Sequence, residues 1–444
     1  MPTKNNYDKL IKWIRKSGGY ILPDMKIVVS NVDNIIERSV YATKLITKDT
    51  DIVRIPKKCR IHPELVYEIQ NIDKWVELDN QNRIKNNPLY RIVIALIYQK
   101  ILGKKSFHYP YIRVLPKMSD LKNHFIYNYN EQNLAEWEKC STPFASSAKA
   151  DKKVLEELIL YIEKWNSEYT IFELDTAKFG NEDDILAKLI TWAFVIYMTR
   201  AWHEHGCVPY ADLLNHNTTS KMSLKYIKSG YDSPASKSFP DFSIMQNGNK
   251  YDVGEEIFNN YGHYDGKKLL INYGFSVDEE IQYMEVQMNF TPSSSIHHYI
   301  KSEIDKFNIP KKKLLLTTRS PSARLIKYLR LISLDTHDTV IVHNVKDYPE
   351  KVISLNNELT VYKTLLKLIL GLRTSEYTTE RFNDCQILRA TSNNPVTLNL
   401  ATIILKEFQI LKNNTAWVHA NWLTRLDTPF LKPLIEHIIN IDNL

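Results

Sequence analysis

The segment Val208-Pro-Tyr-Ala-Asp-Leu-Leu-Asn-His-Asn217 places several polar side chains in an otherwise apolar, strand-like run. A second segment of the same character, Asp252-Val-Gly-Glu-Glu-Ile-Phe-Asn-Asn-Tyr-Gly262, follows it, and Leu269-Leu-Ile-Asn-Tyr-Gly-Phe275 comes shortly after. Taken singly, Asn, Asp and Gly in such places are ordinary turn residues, because they favour turns for local reasons. The segments together favour a functional site, and we interpret Ser229–Asp241 between them, with its Gly, Pro and Ser, as a surface insertion.

Upstream of these segments the pattern predicts a helix followed by short strands. The helix ends at Gly18-Gly19 and carries apolar residues at helical spacing, namely Tyr7, Leu10, Ile11 and Ile14. Strand-like pieces follow at Ile27–Val29, Ser39–Ala42 and Asp51–Ile55. Strands this short favour small sheets over a doubly wound parallel sheet, whose strands are longer runs of Val and Ile.

The remainder of the chain changes between helical and strand character in blocks. The pattern is helical from Pro88 to about Tyr197, and a helix over Ile185–Trp202 leads into the polar segments. After residue 290 it is helical again, and Gly371 is predicted to end one of these helices. We therefore predict an α+β fold, in which a β-rich core is split by a helical insertion and followed by an all-α domain. The predicted segments are 1–87, 88–190, 191–285 and 286–444.

The composition argues against several classes of protein. A net charge of +7, from 58 Lys and Arg against 51 Asp and Glu, is small for a dedicated nucleic-acid binder. The chain has only 12 glycines in 444 residues, although about 7% is usual, which disfavours glycine-rich phosphate-binding loops. The 4 cysteines form no Cys-x-x-Cys pair, so neither a zinc ribbon nor a disulfide framework is expected.

No segment predicts export or membrane insertion. The N-terminal sequence MPTKNNYDKLIKW lacks the apolar core of a signal peptide, and the apolar run Ile92–Tyr98 is far shorter than the ~20 residues of a membrane span. We therefore expect a cytoplasmic protein, with the nucleus as a further location. His203, Glu204 and His205 suggest a metal cluster, but alternate residues on a helix point apart. We interpret them as a solvated helix end and expect no metal.

The polar segments resemble the paired motifs of the SET-domain methyltransferases, in the branch similar to the plant Rubisco large-subunit lysine methyltransferase. That branch carries a PxxDLxNH strand, a GE-[EQ]-[IV]-x-x-x-YG segment and then a YGF tail. In this chain DLLNH spans Asp212–His216, GEEIFNNYG spans Gly254–Gly262 and YGF spans Tyr273–Phe275.

The resemblance extends over nearly the whole chain. Arg38–Ile46, followed by Ile55-Pro56, is similar to the N-terminal strand pair of the branch. Pro110-Tyr-Ile-Arg-Val-Leu-Pro116 is similar to its PYxxxLP element, and Thr199-Arg-Ala-Trp202 lies where Ser-Arg-Ala-Phe is usual. Leu325–Ser333 resembles the opening of its C-terminal substrate-binding domain. Several matches in the same order carry more weight than any single motif.

The resemblance implies S-adenosylmethionine as methyl donor, no metal, and a protein side chain, usually lysine, as acceptor. Tyr261 resembles the catalytic tyrosine of the branch. Arg200 would pair with the carboxylate of the donor, as guanidinium geometry favours, and Asp212 would brace the donor-binding segment. The other residues carried over for the donor are Glu37, Arg38, Asn215, His216, Tyr273 and Phe275. Those carried over for the substrate channel are Trp202 and Tyr273.

The chemistry of methyl transfer suits a site with aromatic walls and no strong base. A lysine ammonium, with a pKa of about 10.4, must lose a proton before it can act as a nucleophile. Burial beside a cationic sulfonium disfavours the charged amine through desolvation and like-charge repulsion. The protein therefore mainly positions donor and nucleophile, and Tyr261 needs only to orient the amine and the methyl group.

Two departures from the pattern leave alternatives open. The donor loop of the branch normally reads Glu-Gly-x-Gly, whereas this chain reads Ile36-Glu37-Arg38-Ser39. If those glycines allow a positive φ, donor binding is weakened, and the alternative is a catalytically weak SET-fold interaction module. Trp202 replaces the usual Phe, a position where an actin histidine methyltransferase of this branch carries a polar residue. The second alternative is therefore a protein-histidine N-methyltransferase, although Trp offers only one N–H donor.

The sequence thus predicts an S-adenosylmethionine-dependent protein-lysine N-methyltransferase that acts on a non-histone protein. Related fungal and protist enzymes act mainly on ribosomal proteins and translation factors, so we expect a substrate of that class. We expect a monomer whose partner is its protein substrate, without a membrane or a directly bound nucleic acid. Residue identity alone gives neither the target site nor the number of methyl groups added.

Overall fold

The computed structural model describes residues 3–32, 35–174, 184–202, 205–217, 220, 222–224, 241–246, 248, 250–262, 264–276, 283–288, 295–307, 314–342 and 349–423. The chain divides into two units. The first comprises Met1–Tyr127, Ala148–Tyr264 and Asn272–Gly274, and the second comprises Asn128–Ser147, Asp265–Ile271 and Phe275–Leu444. The four shorter segments expected from the sequence stay a prediction.

The helices, in chain order, are α1 Lys4–Lys16, α2 Ile72–Leu78, α3 Arg83–Asn86, α4 Pro88–Leu102, α5 Tyr109–Ile112, α6 Glu131–Cys140, α7 Thr142–Tyr169, α8 Ile185–Arg200, α9 Gly266–Tyr273, α10 Ser295–Lys306, α11 Ala323–Ile332, α12 Thr336–Ile341, α13 Leu355–Ser375, α14 Thr379–Thr391 and α15 Pro395–Leu423. Single 3₁₀ turns lie at Lys57–Cys59, Pro63–Glu68, Gly103–Lys105, Met118–Leu121, Phe125–Asn128 and Ala211–Leu213.

The strands are short and form small antiparallel sheets. They are β1 Tyr20–Ile21, β2 Met25–Val32, β3 Ile35–Ala42, β4 Ile46–Thr47, β5 Thr50–Ile55, β6 Met222–Leu224, β7 Phe242–Gln246, β8 Lys250–Tyr251, β9 Tyr283–Glu285 and β10 Leu315–Thr317. The largest sheet has the order β1-β5-β7-β6, and the pairs β2-β3, β4-β8 and β9-β10 stand separately. The predicted α+β class with small sheets is confirmed.

The N-terminal elements match the sequence prediction closely. Helix α1 buries Tyr7, Leu10 and Ile14 on one face, and the chain turns at Gly18, whose φ of +88° favours glycine. The predicted strands lie within β2, β3 and β5, and Pro56 follows the end of β5. Apolar periodicity predicted α1 because that helix buries one face, and β-branched residues between polar turns predicted the strands.

The core of the first unit is formed by two helices that are apolar all round. Helix α4 buries every residue from Ile92 to Ile97, and α8 buries every residue from Trp192 to Ile196. An all-apolar surface is typical of a helix enclosed on all sides. The indole N–H of Trp192 donates to the carbonyl oxygen of Pro116 at 2.8 Å, so the buried polar atom is satisfied. Helix α8 therefore has a fixed position, and Arg200 is its last residue.

The second unit is helical, with two findings that differ from the sequence prediction. Strands β9 and β10 form a two-stranded sheet, because Leu314 and Leu316 turn inwards at the start of the helical region. Gly371 does not end a helix, because α13 continues to Ser375 and buries Arg373 in its last turn. A single glycine costs a helix only about 1 kcal/mol, which burial of the following turn offsets.

Two buried glutamates of the second unit have cationic partners. Arg330 donates from Nε and Nη2 to the two oxygens of Glu358, at 2.8 and 2.9 Å. Glu407, which is 1% exposed, accepts from Lys267 Nζ and from the Tyr377 hydroxyl, both at 2.8 Å. Burial alone favours the neutral form of Glu407. The ammonium group of Lys267 favours its carboxylate form, so the hydrogen bond between the two side chains is charge-assisted. No helix among the described residues has the length and apolar character needed to cross a membrane.

Candidate active site

The second polar segment pairs along one side with the free edge of β3. The amide of Ala42 donates to the carbonyl oxygen of Glu255 at 2.9 Å, and the amide of Gly254 donates back to Ala42 at 2.9 Å. The amide of Ile257 donates to Val40 at 2.7 Å. Since β2 occupies the other edge of β3, this segment extends the hairpin by one more strand-like piece.

The same segment pairs along its other side with the first polar segment. His216 and Asn259 form a parallel bridge, in which the Asn259 amide donates to Asn215 at 2.8 Å. The Asn217 amide donates to the carbonyl oxygen of Asn259 at 2.9 Å. The structure therefore brings the two polar segments side by side. Together with β3, they come from three distant parts of the chain.

The side chain of Asn215 ties these pieces together. Its Nδ2 donates to the carbonyl oxygen of Arg38 at 2.8 Å, to Ser39 Oγ at 3.2 Å and to Glu256 Oε1 at 2.7 Å. One amide group thus contacts β3 and the second polar segment at once. This explains why an Asn occurs here, because a hydrophobic residue would leave two of these acceptors without a donor.

Asp212 is the acceptor for two side-chain donors, the half-buried Arg200 and the buried Tyr111. Its Oδ2 accepts from Arg200 Nη1 at 3.1 Å and from the hydroxyl of Tyr111 at 2.8 Å. Arg200 Nη1 also donates to the Asp212 carbonyl oxygen at 2.9 Å. The Asp212 side chain is only 2% exposed, so this ion pair is shielded from water and fixed in place. The bracing role expected of Asp212 is consistent with these contacts.

Burial and neighbouring charges set the ionisation of this cluster. Burial, the largest single influence, would lower the pKa of Arg200, but Asp212 together with Tyr111 and Tyr261 outweighs it, and the pKa lies above its ordinary value. Burial, with repulsion from Arg200, lowers the pKa of the Arg38 guanidinium. Burial next to Asp212 raises the pKa of Tyr111 well above its usual range, so its hydroxyl keeps its proton and donates.

Tyr261 lies in a stack of three rings. Its ring centroid is 5.1 Å from that of His216 and 4.8 Å from that of Tyr273. Its hydroxyl donates to the carbonyl oxygen of Leu214 at 2.9 Å, and its backbone amide donates to His216 Nδ1 at 3.1 Å. Burial raises the pKa of Tyr261 to about 12, although Arg200 opposes the shift. The phenol is therefore neutral at pH 7 and its oxygen retains lone pairs for a further hydrogen bond.

These residues border a pocket of about 460 Å³ within the first unit. Five residues predicted from the sequence line it: Arg200, Trp202, Asp212, Tyr261 and Tyr273. The sequence analysis missed further lining residues, namely Tyr197, Met198, Thr199, Ala201, Asn259, Asn260, Tyr264 and Asn272. Most of these lie in or next to a quoted motif, so their position in the chain could have indicated them as site residues. Their orientation depends on the bridge at Asn259, which the sequence does not indicate.

Two polar atoms at the wall of this pocket are buried and have no hydrogen-bond partner among the described residues. They are Nε of Arg200, a donor, and Oδ1 of Asp212, an acceptor. Unsatisfied buried atoms are costly and usually have a reason. The two residues line the pocket, and their side chains suit a ligand that carries one carboxylate and one ammonium group.

Trp202 occupies its place because the chain reverses direction immediately after it. Its ring packs edge-on against Phe242 at 4.9 Å, and its backbone amide donates to Gly206 at 2.8 Å. Cys207 then exchanges two backbone hydrogen bonds of 3.1 Å with Ile61. The reversal gives the pocket an aromatic wall at the position where the sequence analysis expected one.

The remaining predicted residues lie around the pocket or outside it. Glu37 and Arg38 are in β3, where Glu37 pairs with Ser30, so the stretch aligned with a donor loop is an extended strand. The Glu37 side chain lies outside the described residues. Asn215 and His216 flank the pocket through their bridge, as described above. Phe275 belongs to the second unit and is not assigned to this pocket.

The interpretation of residues 203–205 as a solvated helix end was wrong for His205. Helix α8 already ends at Arg200, and His205 is 6% exposed, with Nδ1 3.0 Å from Nη1 of the buried Arg60. The reversal at Gly206 carries it inwards. His203 and Glu204, like residues 229–240, lie outside the described part of the chain. Among the described residues there is no group of His, Cys, Asp and Glu that could hold a metal ion.

Comparisons with known proteins agree with the resemblance to methyltransferases. A scan against protein-family models finds no match. The chain is 20% identical over 314 residues to a Saccharomyces cerevisiae protein-lysine N-methyltransferase, EFM1, which covers 62% of this chain and 50% of that protein. It is 24% identical over 262 residues to ribosomal lysine N-methyltransferase 4 of the same organism, covering 54% and 49%. The chain thus matches about half the length of these curated relatives.

Solved structures resemble the chain over almost its full length. The SET domain of LSMT bound to lysine and AdoHcy superposes with a TM-score of 0.53 at 17% identity, covering 98% of this chain and 96% of that one. Rubisco LSMT bound to AdoMet gives a TM-score of 0.52 at 18% identity, covering 94% and 92%. The chain therefore has the SET fold. Within that class, its structural neighbours are the Rubisco LSMT structures, as the sequence motifs predicted.

Proposed function

We propose that this protein is an S-adenosylmethionine-dependent protein-lysine N-methyltransferase. The observation that carries the proposal is the ring stack at Tyr261, whose hydroxyl is fixed by Leu214 at 2.9 Å and borders a pocket with aromatic walls. The solved structures of the same fold were obtained with AdoMet or AdoHcy and with lysine, which supports the same assignment. The curated relatives are protein-lysine methyltransferases by name.

The donor would be held by residues around the Asp212 cluster. The Arg200 guanidinium and the Asp212 carboxylate, which line the pocket, suit the carboxylate and the ammonium of the amino-acid part of S-adenosylmethionine. Asn215 and His216 fix the backbone beside them, and Arg38 adds positive charge nearby. When bound, the donor supplies a methyl group on a sulfonium sulfur, and this fit requires no metal.

The chain's own residues prepare the acceptor amine. Trp202, Tyr261 and Tyr273 exclude water from the pocket wall, which disfavours the ammonium form of a lysine placed there. The proton leaves to solvent before transfer, so none of these residues has to act as a strong base. Because the Tyr261 hydroxyl donates to Leu214, its oxygen accepts a hydrogen bond from the amine and directs the nitrogen lone pair.

We place the substrate among proteins of the translation machinery. One relative is named as a ribosomal lysine methyltransferase, and the translation-factor alternative stays a prediction from the sequence. Residues 286–444, which belong to the second unit, are the proposed substrate-binding domain. We expect a cytoplasmic monomer with access to the nucleus, whose partner is the substrate protein.

The test measures donor binding and methyl transfer separately. Calorimetry with S-adenosylmethionine should give saturable binding. Arg200→Ala should weaken it at least about 10-fold, because the guanidinium that pairs with the carboxylate of S-adenosylmethionine is removed. Radiolabel transfer into an extract of host cells should fall by about 10²-fold in Tyr261→Phe, which loses orientation while keeping the ring. Tyr67→Phe, at a tyrosine that is 42% exposed, is the matched control and should retain activity.

Each outcome separates the proposal from its alternatives. Absence of donor binding in the wild-type protein would contradict the enzyme and favour a SET-fold interaction module. Undiminished methyl transfer in Tyr261→Phe would contradict the proposal that the Tyr261 hydroxyl orients the amine. Mass spectrometry of the labelled peptide distinguishes lysine from histidine, and a methylated histidine would replace the lysine proposal.

A further inference from the structure

A second cavity, of about 440 Å³, lies in the first unit and shares no lining residue with the candidate active site. It is bordered by the 3₁₀ turns Lys57–Cys59, Pro63–Glu68 and Gly103–Lys105 and by the last turn of α4. The assigned chemistry uses none of these elements. The cavity therefore needs its own explanation.

The charged residues that line this cavity are mainly basic. Lys58 and Lys105 come from different 3₁₀ turns, and both side chains are exposed. The exposed Lys104 precedes Lys105 and adds positive charge near the rim. Glu68 is the acidic residue among the lining side chains. Two ammonium groups against one carboxylate favour an anion at the mouth of the cavity.

The wall also carries polar groups with unused hydrogen-bonding capacity. Gln99 is 7% exposed, and its Oε1 accepts from the hydroxyl of Ser106 at 2.6 Å. The Ser106 oxygen in turn accepts from the His108 amide at 2.9 Å, and since Gln99 Oε1 can only accept, the Ser106 proton points to it. The amide nitrogen of Gln99 is therefore left as a donor group for a ligand.

His62 adds a ring nitrogen to the same wall. Its Nδ1 donates to Glu64 Oε2 at 3.1 Å, so Nε2 is the acceptor nitrogen of the neutral ring. Burial lowers the pKa of His62 and of His108 to about 4, so both rings are neutral at pH 7. The positive charge available to a ligand at that pH therefore comes from the lysines.

The rest of the wall is apolar. Leu65 and Leu102 line the cavity, and so does Phe107, which is 51% exposed although its ring packs 5.4 Å from Trp13. A large aromatic side chain held in place and left open to solvent provides a surface on which another ring can stack. The cavity thus combines a cationic rim with an apolar, partly aromatic wall.

We propose that this cavity binds a small anionic ligand that carries an aromatic or apolar group, of the aryl phosphate or aryl carboxylate class. The anion contacts Lys58 and Lys105, the Gln99 amide donates to one of its oxygens, and the ring lies against Phe107 and Leu102. Pockets that combine apolar walls with a few placed polar groups are typical small-molecule sites. This site is independent of the proposed methyl transfer.

Phenyl phosphate serves as the probe, and phenol, which has the ring without the charge, serves as its control. Calorimetry on the full chain should show saturable binding of phenyl phosphate and at least about 10-fold weaker binding of phenol. The double variant Lys58→Ala with Lys105→Ala should lose at least about 10-fold in affinity. The charge-matched control, Lys9→Ala with Lys12→Ala on exposed positions of α1, should bind as the wild type does.

A third variant tests the cavity itself. Leu102→Trp fills the space without changing the charge, so it should abolish binding while circular dichroism confirms folding. No saturable binding to the wild type, equal loss in the two lysine variants, or unchanged binding in Leu102→Trp would each overturn the proposal. The last two results would mean that the probe binds a charged surface rather than this cavity.

Discussion

At the scale of single residues, the Asp212 carboxylate is the point on which the candidate site depends. It accepts from Arg200 on one element and from Tyr111 on another, in a position that is almost free of water. Tyr111 was quoted in the sequence analysis only as part of a motif. Its partner is 101 positions away, and neither periodicity nor spacing indicates such a contact. Thus the chemistry of Asp212 was predictable from its motif, but the residue that holds it was not.

Replacement of Tyr111 by Phe tests this positioning role. The variant removes one donor to Asp212 Oδ2, so we expect a loss of about 1–3 kcal/mol in unfolding free energy. We also expect the KM for S-adenosylmethionine to rise several-fold while kcat changes little, because Arg200 is less firmly placed. Urea unfolding and steady-state kinetics measure the two effects.

Tyr328→Phe is the matched control for that experiment. Tyr328 is fully buried, but its hydroxyl has no hydrogen-bond partner among the described residues. Its removal should therefore leave stability nearly unchanged and kinetics unaffected. Equal effects in the two variants would show that the Tyr111 hydroxyl has no special part in the site.

At the scale of elements, the N-terminal helix and strands followed from the sequence, whereas strands β9 and β10 and the crossings between elements did not. Apolar spacing predicted α1, and the short strands β2 and β5 appeared where alternation and Pro56 placed them. The reversal after α8 left no such signal, because a close approach between two backbones depends on tertiary structure. At Gly371 the signal in the sequence was wrong. Glycine often ends a helix, but α13 continues past it, because burial of Arg373 offsets the cost of the glycine.

The tightest crossing is at Gly206, and Gly206→Ala should destabilise the protein strongly. Its φ is +71°, and an added Cβ would lie 2.0 Å from the carbonyl oxygen of Ile61. Backbone atoms there have to move, so we expect a loss above about 3 kcal/mol, measured by urea unfolding.

Gly18→Ala separates steric overlap from backbone strain. Gly18 has a φ of +88°, but an added Cβ meets nothing within 4 Å. Only the cost of a left-handed residue applies, which is roughly 1–2 kcal/mol. If the two alanine variants lost equal stability, the close approach at Ile61 would not be the reason for the glycine.

At the scale of the whole molecule, the first unit contains buried histidines whose ionisation opposes folding. Burial lowers the pKa of His62, His108 and His124 to about 4, compared with about 6.5 for an unperturbed histidine. Between these values the unfolded chain binds more protons than the folded one. The stabilisation is fully present above about pH 6.5 and is lost as the pH falls towards 4.

We therefore predict acid-sensitive stability below pH 6.5. Each histidine contributes a slope of up to about 1.4 kcal/mol per pH unit, measured by urea unfolding at pH 7, 6 and 5. His124→Asn should reduce that slope, because Asn keeps an acceptor for the Ile126 amide but does not titrate. The exposed His337, changed to Asn, should leave the slope as it is. A slope that stays the same in His124→Asn would contradict the assignment.

The pairing of β3 with both polar segments also determines the order in which the protein can fold. Asn215 forms a hydrogen bond with Arg38, 177 positions earlier in the chain. The backbone hydrogen bonds of Val40 and Ala42 can form only once residues 254–257 are present. Closure of such long loops costs entropy before any contact compensates for it, and proteins rich in distant contacts fold slowly. During synthesis the β2–β3 hairpin is complete long before its neighbour exists, which leaves one strand edge uncovered. Assembly of the candidate site is thus a late event, and a chain interrupted before residue 254 would leave this edge of β3 unpaired and open to association with other chains.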